Sequence, residues 1–191
     1  MKGPYFPDHS SPITPQGQAF AVWITGLPAS GKSTIVSILR PRLEAMGLAV
    51  EVLESDEVRR ALTPAPTYSQ AERDLFYRAL VFTGQRLVAN GVTVLFDATA
   101  SKREYRDYAR RVIPRFVEVA IDCPLEVCMQ RDRKGTYEKG RRGETDTVPG
   151  LQVPYESPLN PELKIDTTIV QSDEAARQVL DFINARFLRN P

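Results

Sequence analysis

The stretch Ala21-Val22-Trp23-Ile24-Thr25-Gly26-Leu27-Pro28-Ala29-Ser30-Gly31-Lys32-Ser33-Thr34-Ile35 decides the fold. It opens on a short apolar, β-branched run and turns through two glycines. It continues with Ile35, Ile38, Leu39, Leu43 and Met46 at helical spacing. The turn reads G-x-x-x-x-G-K-[ST] over Gly26, Leu27, Pro28, Ala29, Ser30, Gly31, Lys32 and Ser33, with Thr34 following. Glycines let a backbone wrap an anion with successive N–H groups pointing inward, and the helix N-terminus adds a favourable dipole. In this pattern the lysine reaches the terminal phosphates of a bound nucleotide and the serine hydroxyl takes Mg²⁺. Lys32 and Ser33 are the residues in those places. A chance match in a chain this long is on the order of 1%, and the strand–loop–helix context lowers it further.

Working outward, the chain alternates short apolar runs with longer helical patterns. Residues 21–25, 49–53, 92–96 and 116–121 read as buried strands, and 163–169 as a weaker fifth. Helical patterns fill 32–46, 70–89, 103–113, 125–131 and 173–187. Strands separated by helices predict an α/β domain: a three-layer P-loop NTPase fold with a mostly parallel five-stranded sheet and helices on both faces. Residues 1–18 carry Pro4, Pro7, Pro12 and Pro15 and read as a flexible tail, with Tyr5 and Phe6 able to dock it. A single domain is expected over 19–191. Residues 132–161 break the pattern with glycines and prolines. A stretch this long without periodicity in a compact domain is disordered or a functional flap. Segment 131–150 holds six basic residues against four acidic ones, and a basic flap beside a phosphate site favours a mobile lid.

The inventory excludes several chemistries. The 191 residues hold 25 Lys+Arg against 24 Asp+Glu, a net charge of +1. That balance argues against a surface built to grip nucleic acid. His9, the lone histidine, sits in the tail, so a Ser-His-Asp triad and a histidine-rich zinc site are not expected. Cys123 and Cys128 make no disulfide scaffold, and a reduced cytoplasmic compartment fits them best. The chain has no apolar run of about 18 residues and no leader-like apolar segment, so neither a membrane partner nor secretion is expected.

Carboxyl ends of strands face the ligand crevice in an open α/β sheet. The second strand ends in Leu53-Glu54-Ser55-Asp56, and Arg59 follows one helical turn on. Asp56 can take the proton of a hydroxyl acceptor or hold Mg²⁺ through water, while Arg59 clamps an anion on the same molecule; the alternative is an N-cap aspartate beside a solvated arginine. The third strand ends in Phe96-Asp97. Asp97 is either a carboxylate supporting Mg²⁺ or a helix cap. The helix after it carries Lys102, Arg103, Arg106, Arg110, Arg111 and, just beyond, Arg115. Most read as a solvated face, with Lys102 and Arg103 nearest the crevice and best placed to touch substrate. Trp23 and the two cysteines read as packing, and Tyr68, Tyr137 and Tyr155 as loop residues.

Four further stretches resemble adenylyl-sulfate kinases. They are Cys123-Pro-Leu-Glu-Val-Cys128, Arg131-Asp132-Arg133-Lys134-Gly135-Thr136-Tyr137, Pro149-Gly150-Leu151-Gln152-Val153-Pro154-Tyr155-Glu156 and Asn160-Pro161-Glu162-Leu163. With the P-loop and Asp56…Arg59, the likeness spans about 20–187. The resemblance implies transfer of the γ-phosphoryl group of ATP to the 3′-hydroxyl of adenylyl sulfate, with Mg²⁺. It implies Asp56 as the catalytic carboxylate, with Arg59 and Arg73 on adenylyl sulfate. It places Arg131 and the lid from Lys134 to Tyr137 over ATP.

The acceptor side departs from that family. An Asp-Gly-Asp motif is replaced by Glu54-Ser55-Asp56, and a Phe-Ser pair by Tyr68-Ser69. A substrate-contacting Asn falls on Phe76, a serine on Ala100, and a lid phenylalanine that stacks on the substrate adenine on Val148. An aromatic–base stack contributes roughly 1–3 kcal/mol, so its loss weakens acceptor binding and leaves the ATP site alone. Ser55–Arg59 and Asp97-Ala98-Thr99 look like the broader polynucleotide-kinase-like and small-metabolite P-loop kinases. The alternative reading is therefore a kinase for another phosphorylated or nucleotide-like alcohol, and the third is a non-catalytic ATP-binding module. A homodimer is one open option for the assembly.

Overall fold

The computed structural model describes residues 18–188. The tail expected over 1–18 lies, Gln18 apart, outside the described residues, as do Tyr5, Phe6 and His9. The elements run β1 (Ala21–Thr25), α1 (Lys32–Ala45), β2 (Val50–Glu54), α2 (Ser55–Leu62), α3 (Gln70–Ala89), β3 (Thr93–Asp97), α4 (Arg103–Val112), β4 (Phe116–Asp122), α5 (Leu125–Gln130), α6 (Thr136–Arg141), β5 (Leu163–Asp166) and α7 (Ser172–Ile183), and a π-helical turn over Asn184–Leu188 closes the described chain. The sheet is parallel throughout, in the order β2-β3-β1-β4-β5.

Period-two alternation on β1 sorts the two cores. Phe20, Val22 and Ile24 pack on α1 and α7 with Ile35, Leu39, Val179 and Ile183. Ala21 and Trp23 face the other way, onto α3 and α4 with Tyr77, Leu80, Tyr105 and Ala109. Both faces of β1 and β3 are covered and every residue of those strands is buried, which is why they read as unbroken apolar runs. Strand order reverses about β1, whose neighbours are β3 and β4. The crevice of such a sheet opens at the carboxyl end of that strand, and there the turn 26–31 sits.

Two helices were not legible as such. Asp56…Arg59 belongs to a full helix, α2, and the aperiodic stretch 132–161 contains α6. α6 seats a third, small core of Cys123, Cys128, Tyr137 and Val148 against Leu27 and Ala29 of the turn. α4 does not present the solvated basic face expected of it. Arg106 is 1% exposed and pairs with Glu118 at 2.7 Å, while Arg110 reaches both Glu118 and Glu162. Only Arg111 of the six is exposed. A strand carboxylate, Glu118, lies under α4 and draws those guanidinium groups inward.

Candidate active site

The β1–α1 turn is held in a conformation that its glycines permit. Gly31 has φ +103° and Gly26 φ +155°, while Ala29 accepts φ +59°. A Cβ on Gly26 would stand 2.8 Å from the Ile121 carbonyl of β4, so the neighbouring strand excludes any side chain there. Lys32, 8% exposed, donates through Nζ to the carbonyls of Gly26 (3.1 Å) and Leu27 (2.8 Å). Burial pushes its pKa down, and Asp97 and Asp56 partly oppose that. Ser30 Oγ is buried with no hydrogen-bond partner among the described residues, and Ser33 and Thr34 are exposed on the first turn of α1.

Three carboxylates gather where β2 and β3 end: Glu54, Asp56 and Asp97. Asp97 is 4% exposed and stands in register with Glu54 across the β2–β3 ladder. It caps no helix, because α4 begins at Arg103 with Lys102 as its N-cap residue. Asp56 lies in the first turn of α2, also not as the cap. Lys134, from the segment before α6, reaches Asp56 Oδ2 at 3.1 Å and Glu54 at 3.7 Å. Its hydrogen bond to Asp56 raises the lysine's pKa. Glu54 is pushed up by burial first, then by the negative charge of Asp56 and Asp97. Glu54 escaped the sequence reading; its signal was the register of the two strand ends.

Arg59 is 7% exposed, paired with Glu72 at 3.0 Å, and its guanidinium lies 3.9 Å from the Phe76 ring centroid. Tyr68 takes φ +53° and is 39% exposed. Arg73 donates to the Tyr68 carbonyl and to that of Thr147, each at 3.0 Å. It thereby ties α3 to the residue before Val148. Val148 itself is buried in the small third core, its N–H bonded to Gln152. Lys102 pairs with Glu104 at 3.3 Å, and Arg103 with Glu156 at 3.6 Å.

The far side of the turn is fastened by residues distant in sequence. Arg131 donates to the carbonyl (2.9 Å) and hydroxyl (3.3 Å) of Thr167, and the Thr167 hydroxyl donates to the Ser30 carbonyl at 2.9 Å. Tyr137 donates to the Pro28 carbonyl at 3.0 Å. Tyr155 meets Thr25 at 3.0 Å, and Thr25 donates to the Thr99 carbonyl at 2.6 Å. Thr167, Tyr137 and Tyr155 therefore brace the loop, a role that spacing alone did not reveal. A groove of about 500 Å³ runs between Leu27 and residues 150–155. Among the described residues no three His, Cys, Asp or Glu side chains form a metal cage, and no helix is long and apolar enough to cross a membrane.

Residues 18–166 match the profile of the family described as adenylylsulphate kinase. A probable adenylyl-sulfate kinase of Archaeoglobus fulgidus is 44% identical over 149 residues, covering 78% of this chain and 96% of that protein. An adenylyl-sulfate kinase of Rippkaea orientalis is 41% identical over 162 residues, covering 85% and 90%. The Mycobacterium tuberculosis APS kinase solved with AMPPNP and APS superposes with a TM-score of 0.82 at 35% identity, covering 87% of this chain and 98% of that one. Matched by that family's profile over 18–166 and 44% identical to one such relative, the chain belongs to the adenylylsulphate kinase family.

Proposed function

We propose that the protein transfers the γ-phosphoryl group of ATP to the 3′-hydroxyl of adenylyl sulfate. The observation that carries this reading is the gathering of carboxylates beside the buried Lys32 of the turn: Asp97 in register with Glu54 at the ends of β3 and β2, and Asp56 bonded to Lys134 at 3.1 Å. The loop from Gly26 to Thr34 takes the polyphosphate, with Lys32 offsetting charge as it builds on the transferred group. Asp56 orients the acceptor hydroxyl and receives its proton. Arg59, Arg73, Tyr68, Lys102 and the backbone near Val148 bound the acceptor. Arg131 and Lys134 cover ATP, and the segment 131–150 excludes water when it closes.

The donor set suits Mg²⁺. It offers one buried carboxylate, Asp97, and one exposed hydroxyl, Ser33, with no side-chain cage among the described residues. Mg²⁺ keeps most of its waters and phosphate oxygens and needs few protein ligands. Ser33 directly and Asp97 through water would hold it. When bound, it neutralises phosphate charge. The two free, buried cysteines suit a reduced, cytoplasmic setting.

A coupled ATPase assay over a panel of acceptor alcohols tests the reading. Saturable turnover at micromolar adenylyl sulfate is expected. Burial of the Val148 side chain in the third core favours the second reading, another phosphorylated or nucleotide-like alcohol. Turnover confined to such an acceptor would replace the first reading with that one.

A further inference from the structure

Phe76 belongs to the second core, 2% exposed, edge-on to Tyr77 at 5.2 Å. Its face carries the Arg59 guanidinium at 3.9 Å. Arg59 is also 5.1 Å from the Tyr68 ring centroid, and Arg73 is 5.5 Å from that same ring. Aromatic and cation therefore alternate in space: Phe76, Arg59, Tyr68, Arg73. The ladder starts in the core and ends where Arg73 holds the Thr147 carbonyl of the flap. Glu72 pins Arg59 from the side and also accepts from the N–H and hydroxyl of Thr67, which holds the Tyr68 loop in place.

We propose that Phe76 is the positioning residue of the acceptor site, fixing the plane of the Arg59 guanidinium, and through Tyr68 that of Arg73, so that both cations meet an anionic acceptor already oriented. The proposal rests on the reading of Arg59 and Arg73 as acceptor contacts. A guanidinium is planar, so a ring beneath it sets the direction of every N–H not already bonded. An aliphatic side chain of similar size fills the same space and sets no plane. Phe76 then governs acceptor affinity and leaves the phosphoryl donor untouched.

Steady-state kinetics on Phe76→Leu and Phe76→Tyr test this. Phe76→Leu should raise KM for adenylyl sulfate about 5- to 30-fold with KM for ATP unchanged. Phe76→Tyr, which keeps the π-face, should restore acceptor KM to near the parent value. Equal effects of the two variants, an acceptor KM within twofold of the parent in Phe76→Leu, or KM for ATP rising in step would each overturn the proposal. A readout free of substrate separates it from the functional reading. The Nε–H signal of Arg59, assigned by its loss in Arg59→Lys, should be ring-current shifted in the parent and in Phe76→Tyr, and in Phe76→Leu should keep only the smaller share that the more distant Tyr68 ring contributes. If the parent fails to turn over adenylyl sulfate, the functional reading falls and this signal alone decides the ladder; an unshifted Arg59 signal in the parent refutes it.

Discussion

At the residue scale, the carboxylates at the ends of β2 and β3 divide the work by burial. Asp97 is enclosed beside Lys32, whereas Asp56 is exposed and held by Lys134. Asp56 is therefore open to solvent on the side away from Lys134, where an incoming hydroxyl can meet it. Asp56→Asn should lower kcat by orders of magnitude while ATP binding, measured by calorimetry, stays within a few-fold; near-parental turnover would remove Asp56 from the proton's path. Glu54 gives a prediction of opposite character. Its pKa stands above the ordinary 4.5, mainly through burial. A raised carboxylate stabilises the folded state only while protonated, so its ionisation subtracts stability as pH climbs from 4.5 through the raised value. Glu54→Gln should gain melting temperature relative to the parent across that window. A difference that does not vary with pH would show that Glu54 adds no such term.

At the element scale, the short helix α6 was invisible to periodicity because six residues carry no readable stripe. Its position comes from Tyr137, whose hydroxyl crosses to the Pro28 carbonyl. Tyr137→Phe removes that bond and keeps the ring in the third core. A hydrogen bond contributes a net of about 0.5–1.5 kcal/mol, so KM for ATP should rise about 2- to 10-fold with the fold intact by circular dichroism. Helix α3 shows a conflict that magnitudes settle. Alanine is a better helix former than glycine by about 0.8–1 kcal/mol, so Gly84 looks like a site for improvement. A Cβ there would lie 2.2 Å from Cζ of Phe96, a ring stacked on Trp23 at 4.6 Å with no room to yield. Overpacking costs about 1–3 kcal/mol, and the clash outweighs propensity. Gly84→Ala should lower the urea midpoint; a raised midpoint would mean that the ring gives way.

At the scale of the whole molecule, Arg106 joins parts that the chain keeps far apart. It pairs with Glu118 of β4 and donates to the carbonyls of Ala100 and Glu156, tying the loop after β3 to the segment that follows the flap. Removing one partner of a buried pair costs about 3–5 kcal/mol because the other charge is left uncompensated. Glu118→Gln, which strands the buried Arg106, should lose most of that in chemical denaturation, and Arg106→Met less, because Arg110 still reaches Glu118. The double variant should lose less than the sum, and strict additivity would show that the two groups do not act as a pair.

The amino-acid sequence by itself determined the turn from Gly26 to Thr34, the alternation of strand and helix, and the parallel sheet. These depend on backbone freedom and hydrophobic period, which are properties of neighbouring residues. The roles of Arg106, Glu54, Thr167 and Val148 were decided only by the tertiary structure. Glu54 meets Asp97 because β2 and β3 pair in register. Arg131 reaches Thr167, 36 residues on, because β4 and β5 lie side by side. Val148 turns into a small core that forms only when α6 packs on the loop at Leu27 and Ala29. Strand order brings these groups together, and strand order emerges from burying both faces of one sheet at once, a condition that no window of sequence contains.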